Sequence, residues 1–117
     1  MSLSSPGVHL FYHSRWQDTR VLDELCWGLE EQGVPCQTIT YDGGGDAAAL
    51  GALAARSSPL RVGIGLSASG EIALTHAQLP ADAPLATGHV TDSDDHLRTL
   101  GANAGQLVKV LPLSERN

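Results

Sequence analysis

Between Ala54 and Leu111 the chain breaks into three short apolar, strand-like runs separated by stiff, Pro-bearing turns and closed by a helix that contains Asn and Gly. Arg61 to Leu66 is a run of small apolar residues, Ser67-Ala-Ser-Gly70 is a turn, and Glu71 to His76 is a second β-like run. So short a connection leaves no room for a crossover, so the two runs pair antiparallel. Leu79 to Pro84 is then a Pro-bracketed loop leading into Leu85 to Val90, the last strand. Thr91-Asp-Ser-Asp-Asp95 places capping side chains and three carboxylates where the free amides and dipole of a starting helix favour them. The final helix runs to about Val108.

Upstream, the period alternates between strand and helix. Val8 to His13 is rich in β-formers and reads as a first strand. From Asp18 to Gln32 the period turns helical: Val21, Leu22, Leu25, Cys26 and Leu29 gather on one arc, with Asp23, Glu24, Glu30 and Glu31 outside it. Gly33 suits the left-handed position past the helix end, and Pro35 prevents resumption. Cys36 to Tyr41 reads as a second strand, and Asp42-Gly-Gly-Gly-Asp46 is a turn whose Asp46 can cap a helix from about Ala47 to Arg56. The order is βαβα, a hairpin, a strand and a helix. It implies an α/β fold: a single-domain three-layer sandwich with a mixed, partly parallel sheet and helices on its faces. The chain reads as one domain over residues 1–117, with residues 1–6 as a flexible lead-in.

Charge and cysteine usage exclude several classes. The net charge is −6, and the seven Lys and Arg residues are scattered. They form no basic stripe to neutralise phosphates, so neither nucleic acid nor an anionic membrane is an expected partner. Cys26 and Cys36 stand ten apart, with no Cys-x-x-Cys pair and no second pair to complete a zinc set. They read as reduced packing cysteines, which points to the cytoplasm. The start Met1-Ser-Leu-Ser-Ser-Pro6 lacks the charged and apolar regions of a signal peptide, and no run approaches the length of a membrane span.

Each motif that could carry chemistry has a plainer explanation. Gly63-Ile-Gly65-Leu-Ser-Ala-Ser-Gly70 places its third glycine too late for a dinucleotide fingerprint, has no Gly-Lys-Ser/Thr, and fails as a nucleophile elbow. A hairpin turn accounts for it. Asp92, Asp94 and Asp95 lack the glycine and distant glutamate of a calcium loop and fit helix capping. His9, His13, His76, His89 and His96 never adopt a His-x-x-x-His spacing on one helix, and a site assembled across strands stays open. No neighbourhood supplies a nucleophile, a base and an orienter together, so no catalytic or cofactor-binding residue is assigned and the chain is not expected to be an enzyme.

Trp27 needs an explanation beyond folding. On an ideal wheel it lies opposite the apolar arc, on one outward stripe with Arg20, Glu24 and Glu31. An outward Trp beside charges has the make-up of an interface hot spot. A local unwinding near Gly28 would instead fold it into the edge of the core. Trp16, just before the helix, has no reading beyond a staple at its entry.

Five segments together resemble a known family: Gly28-Leu-Glu-Glu-Gln-Gly-Val-Pro35, Ala54-Ala-Arg-Ser-Ser-Pro-Leu60, Val62-Gly-Ile-Gly65, Leu79-Pro-Ala-Asp-Ala-Pro-Leu85 and Gly101-Ala-Asn-Ala-Gly-Gln-Leu-Val-Lys109. In order and spacing they resemble the small subunit of the diol/glycerol dehydratase reactivating factor, whose fold is related to the dehydratase medium subunit. The resemblance implies a chaperone-like partner of adenosylcobalamin-dependent dehydratases. It would bind an actin/heat-shock-type ATPase large subunit in an α2β2 assembly and release damaged cobalamin by subunit exchange with the dehydratase. The family's Glu-Glu-x-Gly-x-Pro segment supplies a glutamate to a magnesium ion at the subunit interface. Carried over, that residue is Glu31, with Glu30 as the fallback, and the implied interface comprises Arg20, Glu24, Trp27 and Glu31. No cofactor is implied for the isolated chain. The alternative is a small α/β enzyme or ligand-binding domain that shares the fold, to be favoured by a deep pocket with converging His and Asp side chains.

Overall fold

Val8–Tyr12 forms strand β1, and the chain returns to it from both sides. Helix α1, Arg20–Glu31, leads to strand β2, Cys36–Thr40, which pairs parallel with β1; helix α2, Ala47–Ser57, leads to strand β3, Val62–Leu66, parallel to β1 on its other side. Strands β4, Glu71–His76, and β5, Ala86–His89, extend the sheet antiparallel, and helix α3, Asp94–Val110, closes the chain. The structure, a computed structural model, describes residues 6–110. The strand order is β2-β1-β3-β4-β5. This is the mixed, partly parallel sheet with helices on its faces that the element order predicts, and the 61–66/71–76 hairpin is present. Residues 1–5 of the expected lead-in lie outside the described residues.

The two faces of the sheet are packed by different means. Alternation along β3 sends Val62, Ile64 and Leu66 into the main core with Val8 and Leu10 of β1, Leu25 and Leu29 of α1, and Leu97 and Leu100 of α3. Gly63 and Gly65 point the other way, where a Cβ on either would run into the backbone of α2. Helix α2 therefore lies almost on the sheet, and its Ala- and Gly-rich sequence, Ala47-Ala-Ala-Leu-Gly-Ala-Leu-Ala-Ala55, supplies the matching low relief. The same device sets α1 against α3: a Cβ on Gly28 would meet the backbone of Arg98 and Ala102, and one on Gly101 would meet the Leu25 carbonyl.

The helix ends follow local chemistry. Gly33 takes φ +76° beyond α1, and the Asp46 carboxylate accepts the Ala49 amide at 2.8 Å to cap α2. At α3 the Ser93 hydroxyl accepts the His96 amide at 3.1 Å, while the Asp92 carboxylate accepts the His89 amide at 2.9 Å. One start differs from expectation. Helix α1 begins at Arg20 and not at Asp18, because Ser14–Trp16 first forms a 3-10 turn and Asp18 adopts a left-handed φ of +63°.

Candidate functional site

Helix α1 has two packing sides, and that decides what its polar residues do. Its apolar arc faces the sheet, while the flank bearing Glu24 and Gly28 faces α3. The expected outward placement of Glu24 is therefore corrected. The residue is only 7% exposed, and its Oε1 accepts a hydrogen bond from Arg98 Nε at 2.9 Å. That bond, together with the nearby charges of Glu24, Asp95 and Glu31, holds the Arg98 guanidinium above its ordinary pKa.

From this anchor Arg98 extends over the face of Trp27, its guanidinium carbon 4.4 Å from the ring centroid. Trp27 is 50% exposed on an unbroken helix, so the unwinding that would carry it into the core does not occur. Arg20 lies at the same end of the face and pairs with Asp94 Oδ1 at 3.2 Å, both in solvent. Glu31 is exposed and lines a shallow depression of about 350 Å³ with Asp95, Arg98, Thr99 and Ala102. The structure thus brings Trp27 and Glu31 together on one surface, keeps Arg20 at its margin, and moves Glu24 beneath it. Nothing local in the sequence places Arg98, Thr99 or Asp95, the last read there only as a helix cap, beside Glu31, because they belong to a helix some seventy residues downstream.

As a metal ligand, Glu31 has the right donor and too few companions. Among the described residues neither Glu31 nor Glu30 has an ion-pair partner, and no three His, Cys, Asp or Glu side chains converge as a metal set. A single free carboxylate fits one position of a magnesium octahedron and leaves the rest to water or another chain.

The place where an open α/β sheet usually takes a ligand is filled. The chain leaves the adjacent strands β1 and β3 in opposite directions, which makes their carboxyl ends the natural crevice. Here Trp16 Nε1 donates to the Ser67 carbonyl at 2.8 Å, Arg15 donates to the Ala68 carbonyl at 3.0 Å, and the 3-10 turn is clamped onto the β3–β4 hairpin. Trp16 is thus a tertiary clasp. A larger hollow of about 430 Å³ beside β5 is lined by Asp46 and His89 among others. Asp46 is already spent on capping α2, and His89 Nδ1 lies 3.0 Å from the Thr91 hydroxyl, so each of these two side chains serves local structure.

The comparisons with known proteins agree with the fold. The family model for the dehydratase medium subunit matches residues 5–114. A probable glycerol dehydratase-reactivating factor small subunit from Citrobacter freundii is 73% identical over 115 residues, covering 98% of each chain. A solved glycerol dehydratase reactivase superposes with TM-score 0.88 at 88% identity, covering 97% of this chain and 100% of that one. A diol dehydratase-reactivating factor, solved with ADP and Mg2+, gives TM-score 0.81 at 30% identity over 96% and 100%. The chain belongs to the dehydratase medium-subunit family, and within it to the small subunits of dehydratase-reactivating factors. Among the described residues no helix is long and apolar enough to cross a membrane.

Proposed function

We propose that this chain docks on an ATPase large subunit through the α1–α3 face and, in an α2β2 assembly, takes part in the subunit exchange that frees an inactivated dehydratase of damaged cobalamin. The observation that carries the reading is the half-exposed Trp27, roofed by an Arg98 that is itself tied to the buried Glu24. Trp and Arg are the residue types that most often dominate interface energy, and a side chain already held in place loses little freedom on binding. Glu31, free on the same surface, would give one oxygen to a magnesium ion whose other protein ligands come from the partner. The solved diol dehydratase-reactivating factor with ADP and Mg2+ supports placing nucleotide and metal in the complex. The client is a glycerol dehydratase, since the relative named for it is 73% identical and the solved diol factor 30%. The two free cysteines suit a reducing cytoplasm.

Co-expression with a reactivating-factor large subunit tests this directly. The tagged chain should carry the large subunit through affinity capture and gel filtration as one species. Elution of the two proteins as separate species would end the reading.

A further inference from the structure

Cys26 sits on α1 and Cys36 opens β2, and across that seam their Sγ atoms lie 2.6 Å apart, both thiols free. Neither is sealed in the core. A hollow of about 270 Å³ is lined by both cysteines together with Tyr12, Asp18, Asp23 and Thr38. We propose that Cys26 and Cys36 form a reversible two-electron redox site, oxidised to an intramolecular disulfide by a small, neutral hydroperoxide. The contact is the decisive feature. A disulfide needs its sulfurs at about 2.0 Å with both Cβ atoms suitably aimed, so this pair has only a short approach to make.

The order of steps follows from the surroundings. The side-chain hydrogen bond shared with Cys36 lowers the pKa of Cys26, against the opposing effects of burial, Glu30 and Asp23. Cys36 is pushed up by the same hydrogen bond and by burial. The Cys26 thiolate therefore attacks the peroxide oxygen, the O–O bond breaks, and hydroxide leaves with a sulfenic acid on Cys26. Cys36 sulfur then displaces the sulfenic oxygen as water. In total two thiols and one hydrogen peroxide become one disulfide and two waters. Asp18 and Asp23, both exposed residues lining the hollow, disfavour an anionic oxidant and leave a neutral one unhindered. The bond would staple α1, next to Trp27, to the edge strand. The chemistry stands independently of the large-subunit reading.

The test uses the full chain, reduced, treated with hydrogen peroxide, alkylated with a maleimide and weighed intact. The expected product has lost two hydrogens, takes up no maleimide at either cysteine, and recovers both after dithiothreitol. Cys36→Ser should stop with one oxygen on Cys26, trapped by dimedone, and Cys26→Ser should resist. Two thiols still open to alkylation, chain-to-chain disulfides as the main product, or independent oxygen addition at both cysteines would overturn the site. The wild-type measurement decides on its own, whether or not either variant folds. Glutathione disulfide should react more slowly at low ionic strength and speed up as salt screens the two aspartates; a rate indifferent to salt would overturn the choice of oxidant.

Discussion

Arg98 covers one face of Trp27 at 4.4 Å, and the two residues come from helices that cross tightly at Gly28 and Gly101. The cation lies over the indole while the rest of the ring remains in solvent, so under the proposed docking the pair is expected to contribute little to folding and much to the interface. Trp27→Ala should weaken association with the large subunit by more than about 1 kcal/mol. The thermal midpoint of the isolated chain should hardly move. A fall equivalent to the roughly 3–5 kcal/mol that emptying a core site costs would return Trp27 to the core.

Glu24 should behave in the opposite way. Its carboxylate is buried and bonded to Arg98, so Glu24→Ala removes a charge-assisted hydrogen bond and is expected to lower the stability of the isolated chain by about 1–3 kcal/mol. Because Arg98 also loses its anchor, partner affinity should fall as well. Chemical denaturation of Glu24→Ala, Arg98→Ala and the double variant should reveal non-additive losses; simple additivity would mean the two side chains are not coupled.

Glu31 is expected to matter only in the complex. The isolated chain should show no specific magnesium affinity by calorimetry, because one carboxylate cannot satisfy the ion. With the partner present, Glu31→Gln keeps the size and removes the charge, and should weaken magnesium-dependent assembly more than Glu30→Gln. Identical behaviour of the two variants across a magnesium titration would reject the assignment.

Nucleotide chemistry is expected to reside wholly in the large subunit. The chain has no lysine-bearing phosphate loop, its seven basic residues are dispersed, and the crevice at the β1–β3 ends is closed by Trp16. Calorimetry with ATP should give no binding signal for the isolated chain, and micromolar affinity would count against the assignment.

Helix α3 should be intolerant of the smallest addition at its crossing point. A methyl group at Gly101 meets the Leu25 carbonyl, a backbone atom that cannot rotate away, so Gly101→Ala should destabilise by about 1–3 kcal/mol although Ala is the better helix former. Asn103→Ala, two residues along on the exposed side, should stay within about 0.5 kcal/mol of wild type in the same melt.

What the sequence determined by itself was whatever is set within a few residues. Gly33 and Pro35 end α1, Asp46 caps α2, the Ser67–Gly70 turn forces the hairpin, and the alternation of periods gives the element order from which the sheet class follows. Trp27's exposure was legible too, since a residue opposite an apolar arc can be found by counting. The tertiary structure alone decided that α1 has a second packed side. A helical wheel marks one buried arc, and it places Glu24 outside because the wheel does not include α3; Arg98, which buries Glu24 and roofs Trp27, is separated from Glu24 by 74 positions. The same reason hid the Trp16–Ser67 clasp, 51 positions apart, and the meeting of Cys26 with Cys36 across the α1–β2 seam. Local signals choose helix, strand and turn, whereas glycine-permitted close approach between distant segments chooses which polar side chains are neighbours, and the candidate site is made of those neighbours.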